Sequence, residues 1–267
     1  PAAYARDMPE GDTIFRTART LRQALAGKTL RRFEAKRLVA RGPRPGTKVI
    51  DAEARGKHLL IHFDDGTVLH THMRMTGSWH VYRAGERWKK PASYARVVME
   101  TEDDIVAVCF SAPLVELRRD ADASVAHLGP DLCRPDVDLA EVRLRFRRLH
   151  PSTELGVALL DQTVASGIGN VYKSEVCFVC HEDPFTPIGE LDETRVETLF
   201  ATAARLLQAN LEGFDRVTVG RGLGVYGKQG KRCLRCGTVV RMRHQGEQAR
   251  STYWCPGCQT GPHGTNA

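Results

Sequence analysis

The sequence predicts a multidomain α+β protein: an antiparallel β domain with a leading helix, then a helical domain, then a small four-cysteine ribbon. Three observations carry that prediction. Two-residue hydrophobic alternation runs from Thr29 to about Phe110, helical periodicity replaces it after Leu128-Gly129-Pro130, and two Cys-x2-Cys pairs stand near the end. A chain of 267 residues can bury one large core or two modest ones. Segments 9–122, 131–215 and 226–260 are the expected pieces.

The first helix follows from Ile14, Phe15, Ala18, Leu21 and Leu25, which recur at three- and four-residue steps, with Gly27 placed to stop it. Next, His58–Phe63 and Thr67–His70 alternate on either side of Asp64-Asp65-Gly66, a hairpin pattern. Further strands are expected at Trp79–Tyr82, Ala95–Glu100 and Ile105–Phe110, giving an antiparallel sandwich or barrel. Helices are expected over Asp138–Leu149, Glu154–Val164, Asn170–Cys180 and Asp192–Leu211. Between the second and third of these, Ala165-Ser166-Gly167-Ile168-Gly169 is a tight connection whose glycines permit close backbone approach.

Cys233-x2-Cys236 and Cys255-x2-Cys258 are separated by eighteen residues, the spacing of a four-cysteine zinc site. Two knuckles complete a tetrahedron of thiolates with no open position, so one structural zinc per chain is expected. Cys177-x2-Cys180-His181 has no second pair and sits on an apolar helical stretch, where buried free cysteine is common. Arg241, Arg243, His244 and Arg250 lie between the knuckles, on a hairpin of a size to enter a DNA groove.

Net charge is +7, and from Arg216 to Arg250 nine Lys or Arg stand against one acid, Glu247. Such a stretch is either a solvated charged face or a surface that neutralises phosphates. No apolar run approaches the roughly 18 residues needed to cross a bilayer, and no signal-peptide pattern opens the chain. A soluble intracellular protein without membrane contact is the expectation.

Met8-Pro9-Glu10-Gly11 offers a sharper clue. As a dipeptide, Pro-Glu also serves as ordinary helix-start chemistry. A proline nitrogen inside a chain is an amide and cannot attack. At a terminus freed of its methionine it is a secondary amine, which can attack a sugar C1′ and form an iminium, with Glu10 moving protons.

Met8-Pro9-Glu10-Gly11-Asp12-Thr13, Arg55-Gly56-Lys57-His58-Leu59-Leu60, Gly167-Ile168-Gly169-Asn170-Val171-Tyr172 and Arg250-Ser251-Thr252-Tyr253-Trp254-Cys255 occur in this order. Together they resemble the formamidopyrimidine-DNA glycosylase and endonuclease VIII family, over nearly the whole chain from Met8 to about Gln259. The resemblance implies a β-sandwich domain, a helix-two-turn-helix domain and a zinc finger, with damaged DNA held between domains. It implies base-excision repair by a bifunctional glycosylase and abasic-site lyase. Pro9 resembles the family's nucleophile and Glu10 its proton-transfer carboxylate. Lys57, grouped with Pro9 and Glu10 as catalytic, corresponds to the lysine that contacts the phosphate beside the lesion, Asn170 to the helix-turn asparagine that holds the DNA backbone, Arg250 to the DNA-binding zinc-finger arginine, and Met75 to a residue that fills the gap left when a base is extruded.

Ser111-Ala112-Pro113-Leu114-Val115-Glu116 lacks the arginine and phenylalanine of the formamidopyrimidine branch, and Gly213 to Cys233 is short. Both features resemble the endonuclease VIII branch and imply oxidised pyrimidines, or abasic and single-stranded sites, as targets. Pro1 to Asp7 precede Met8, and while they remain attached Pro9 is an amide. The alternative is therefore a catalytically silent protein of the same fold that binds damaged or single-stranded DNA. A zinc-ribbon protein of another class, acting for example on RNA, is the third reading.

Overall fold

A computed structural model describes residues 9–260 apart from 37, 39–41, 121 and 214, so Pro1 to Met8 lie outside the described residues. The chain divides into two compact units, one of Thr13–His127, the other of the residues through Asp12 together with the chain from Leu128 onward. The division falls inside helix α1, Gly11–Leu25.

In the unit that begins at Thr13, α1 buries Ile14, Ala18, Leu21 and Leu25 on one stripe, as its periodicity requires. Gly27, at φ 77°, turns the chain out of the helix, and its N–H reaches the Val49 carbonyl at 2.8 Å. Eight strands follow: β1 Leu30–Ala35, β2 Val49–Arg55, β3 His58–Phe63, β4 Val68–His72, β5 Ser78–Arg83, β6 Ala95–Thr101, β7 Ile105–Phe110 and β8 Leu114–Arg118. They form two antiparallel sheets of four, ordered β1-β6-β7-β5 and β2-β3-β4-β8. One core joins Leu30, Met99 and Ala107 of the first sheet, Ala52, Ile61 and Leu69 of the second, and the stripe of α1. The β domain is thus a sandwich and not a closed barrel. Strand β8 lies beyond the alternating region because it is an edge strand with no fully buried position, so nothing in its sequence alternates strongly.

In the other unit, α3 (Leu139–Arg147) starts at Asp138, whose carboxylate caps Ala140 and Glu141, and α6 (Glu193–Ala209) starts at Asp192, which caps Arg195. A single turn, α2 (Asp122–Val125), precedes them at the end of the sandwich unit. The helix expected over Glu154–Val164 is only the turn α4, Leu155–Ala158. Side chains compete with the backbone there: Asp161 accepts from the Thr163 N–H and hydroxyl, and Gln162 donates to the carbonyls of Leu160 and Ile168. Helix α5 spans Asn170–Val179 and is buried on nearly every face. Its Glu175 accepts N–H bonds from Gly224, Val225 and Tyr226 and a hydroxyl bond from Thr218, which anchors the approach to the ribbon. The ribbon hairpin is β9 (Arg241–Gln245) paired with β10 (Arg250–Trp254), and β10 packs on α5. No helix among the described residues is long and apolar enough to cross a membrane.

Candidate active site

Glu10 is 1% exposed although it is a carboxylate. Its oxygens accept the N–H groups of Gly169 at 3.0 Å, Val171 at 2.7 Å and Tyr172 at 3.2 Å. These are donors that the first turn of α5 cannot use internally, and the positive end of the helix dipole favours an anion there. The approach depends on glycines. A Cβ on Gly169 would stand 2.4 Å from the Glu10 carboxyl carbon, and one on Gly11 would stand 2.7 Å from the Gly167 Cα. Gly11 N–H also bonds the Gly167 carbonyl at 2.9 Å, and Gly167 has φ 111°. The two motifs, Pro-Glu-Gly and Gly-Ile-Gly-Asn, therefore form one constellation, with half-buried Pro9 next to Glu10.

Asp12 extends the anchor. Arg216 donates to both its oxygens, at 2.8 and 2.7 Å, and both residues are buried. The sequence reading missed this pair, which lies 204 residues apart in the chain. It also counted Arg216 among cations available to phosphate, whereas burial commits it to Asp12. Arg243 sits 3.4 Å from the Phe185 ring centroid and 3.5 Å from Glu154, and Arg235 sits 4.3 Å from that of Phe178, so these two exposed arginines also rest on aromatic faces.

Asn170 is the first residue of α5 and donates to the Ser251 carbonyl at 2.7 Å. Arg250, exposed at the start of β10, is held by the Gln248 side chain through its Nε at 3.1 Å and Nη2 at 2.9 Å. The structure thus brings Pro9, Glu10 and Asn170 to one end of α5 and places Arg250 one residue from Asn170's partner.

Lys57 and Met75 belong to the sandwich unit. Lys57 is half-buried in the turn between β2 and β3, after Gly56 at φ 56°. Met75 is 54% exposed in the turn after β4, which Gly77 closes by donating to the Met73 carbonyl at 2.9 Å. Because His58 pairs with His72 across the strands, the Lys57 turn and the Met75 turn share one end of the sheet. Three histidines gather around His58, the residue after Lys57. His58 Nδ1 lies 2.8 Å from His70 Nε2, and the His58 ring centroid lies 4.8 Å from that of His72 and 6.1 Å from that of His127. Burial, then the charges of neighbouring histidines and Lys57, pushes His58 down to about 3; burial, then Lys57 and Arg74, takes His72 to about 4. The sequence reading passed over these histidines, whose only signal is their recurrence at positions 58, 70 and 72.

The ligand atoms of Cys233, Cys236, Cys255 and Cys258 lie within 4.8 Å of one another, the only such metal-capable group among the described residues. Backbone bonds build each knuckle: Gly237 N–H to the Cys233 carbonyl at 2.9 Å, and Cys258 N–H to that of Cys255 at 3.1 Å. The Thr238 hydroxyl and N–H hold the Cys236 thiol down at about 6. Four soft donors gathered this closely fit one tetrahedral ion. Cys177 is fully buried with its thiol pushed up by burial, and His181 instead faces the ribbon, 3.2 Å from the Cys258 carbonyl and 3.2 Å from Arg235 Nη1.

Two family models match the chain: the formamidopyrimidine-DNA glycosylase N-terminal domain over residues 8–113 and the H2TH domain of the same family over residues 128–219. A relative from Streptomyces coelicolor, named probable endonuclease 8 2, is 46% identical over 96% of this chain and 95% of its own length. One from Mycolicibacterium smegmatis, named DNA-(apurinic or apyrimidinic site) lyase Nei2, is 40% identical over 95% of this chain and 99% of its own. Among solved structures, Lactococcus lactis formamidopyrimidine-DNA glycosylase, bound to DNA containing an abasic site, superposes with a TM-score of 0.80 at 23% identity, over 94% of this chain and 100% of that one. That likeness is one of fold. Both matched domains, in order, together with relatives aligned across almost their full lengths, place this chain in the formamidopyrimidine-DNA glycosylase and endonuclease 8 family.

Proposed function

We propose that this chain is a base-excision repair DNA glycosylase with abasic-site lyase activity, in which Pro9 is the nucleophile and Glu10 the proton carrier. The observation that carries the reading is the Glu10 carboxylate fixed by three backbone N–H groups, one residue from Pro9 and at the head of the helix that begins with Asn170. As a free amine, the Pro9 nitrogen bonds to the sugar C1′ while the bond from C1′ to the base breaks, and the base leaves with that electron pair and a proton. Opening of the sugar ring gives an iminium, removal of a C2′ proton expels the 3′ phosphate, and water releases the enzyme.

Lys57, Asn170 and Arg250 bind phosphates of damaged DNA, and Met75 fills the gap left by the extruded nucleotide. Cys233, Cys236, Cys255 and Cys258 hold one structural zinc, which fixes the hairpin carrying Arg250. The segments 9–122, 131–215 and 226–260 are the catalytic, helix-two-turn-helix and finger modules of a monomer acting on the chromosome. Oxidised pyrimidines in duplex or single-stranded DNA are the favoured targets. The short Gly213–Cys233 segment, the missing arginine and phenylalanine after Phe110, and relatives named endonuclease 8 support this.

Borohydride trapping on abasic DNA tests the chemistry. A chain beginning at Pro9 is expected to give a covalent adduct, and the same chain with residues retained ahead of Pro9 is expected to bind without one. No adduct from the first, or an adduct from the second, removes Pro9 from the role. A panel of lesion duplexes tests the substrate: excision of 8-oxoguanine faster than of oxidised pyrimidines overturns that preference.

A further inference from the structure

Among the described residues Lys173 is the one fully buried lysine, at 0% exposure. It lies one turn beyond Asn170 on α5. Its Nζ donates to the Thr252 hydroxyl at 2.6 Å and lies 3.4 Å from the Ser251 carbonyl, both on β10. No carboxylate is within ion-pair distance of it among the described residues. A buried ammonium without a carboxylate is costly, so folding alone gives no reason for it.

Its surroundings give one. Ser251 carbonyl is the shared acceptor of Lys173 and of the Asn170 amide, and Ser251 directly follows Arg250. From Lys173 a chain of bonds continues: Thr252 hydroxyl donates to Gln245 Oε1 at 2.8 Å, and Gln245 Nε2 donates to Glu154 at 2.8 Å and to the Pro184 carbonyl at 2.8 Å. Gly156 makes room for it, since a Cβ there would meet Gln245 Oε1 at 2.3 Å. Both strands of the hairpin are thereby tied to α5 and to the residue that opens α4.

We propose that Lys173 is the positioning residue of a phosphate clamp: it holds β10, and with it Arg250, against the helix that starts at Asn170. When the Asn170 amide turns from Ser251 to a DNA phosphate, the Lys173 ammonium keeps the Ser251 carbonyl satisfied, so the clamp forms without stranding a buried acceptor. The inference rests on the glycosylase reading, which makes Asn170 and Arg250 the phosphate ligands.

Charge on Lys173 is needed for this, and burial holds it down at about 8. Glu10 at the head of the helix, Glu154 before α4, Arg250 on β10 and the buried Cys177 thiol on the same helix are the titratable groups that act on it. The clamp is therefore expected to weaken as pH rises through 8.

The test is binding of the zinc-loaded full chain to a labelled duplex with a tetrahydrofuran abasic analogue, by anisotropy between pH 6.5 and 9.5. Lys173→Met is expected to bind about tenfold more weakly at pH 7. Wild-type affinity should fall toward that of the variant above pH 8. Arg250→Ala should cost wild type several-fold and the Lys173→Met background less than about twofold, because the two act as one unit. A merely structural lysine would leave Arg250 additive and the pH profiles of wild type and variant parallel, and either result overturns the proposal. Should Lys173→Met not fold, Thr252→Val removes the Nζ acceptor at constant shape: a several-fold loss with the same non-additivity supports the proposal, and wild-type affinity overturns it. If wild type itself shows no preference for the abasic duplex over intact DNA, the glycosylase reading fails, while the coupling of Lys173 to Arg250 is still read on the intact duplex.

Discussion

At Gly169 a single methyl group decides whether Glu10 can reach the head of α5. Its Cβ would overlap the Glu10 carboxyl, so Gly169→Ala is expected to push that carboxylate off its three donors. The expected cost is about 1–3 kcal/mol of stability, with loss of borohydride-trapped adduct on abasic DNA. A variant with a wild-type urea midpoint and full adduct would show that the site tolerates the displacement. His58 offers a pH test. Its folded value near 3 lies below the ordinary 6.5, so between those limits the unfolded chain binds more protons and stability falls as pH falls. His58→Asn should flatten the decline in urea midpoint between pH 6.5 and 4. Equal slopes in both proteins would mean that the ring is not held neutral.

Among elements, the β9–β10 hairpin depends on contacts from outside itself. Two five-residue strands make an unstable unit alone, and the hairpin is fastened by the cysteine cluster at one end and by Asn170 and Lys173 along β10. A strong chelator, by stripping the proposed zinc, should therefore unfold the hairpin and reduce DNA affinity while the sandwich core persists. Hydrogen exchange would show protection lost across Arg241–Trp254 but kept in β3, β6 and β7. Uniform loss of protection would mean that metal and global stability are one transition. Helix α1 illustrates the opposite case. Its stripe of Ile14, Ala18, Leu21 and Leu25 is buried in the sandwich core, and Leu21→Ala is expected to cost about 2–5 kcal/mol.

For the whole molecule, charge, burial and stacking together sort the arginines of the basic stretch. Of the nine cations from Arg216 to Arg250, Arg216 alone is buried, on Asp12; Arg243 and Arg235 are exposed but stacked on Phe185 and Phe178, and exposed Arg250 is bonded to Gln248. Arg250→Ala should lower the slope of log affinity against log salt by about 0.9. Arg243→Ala should leave the slope alone and lower the melting temperature; a slope change there would reassign it to phosphate. The fold class, α1, five of the sandwich strands, the four-cysteine cluster and the motif order were legible in the sequence by itself. Periodicity, turn residues and close ligand spacing record what one short segment must bury or bind. Tertiary structure alone decided that α4 stops after one turn, that edge strand β8 completes a sheet, that Asp12 pairs with Arg216, that three histidines gather around His58, and that Lys173 is buried beneath β10. Each of these depends on partners far apart in sequence, or on a side chain outcompeting a backbone bond, and packing leaves no periodic trace of such choices.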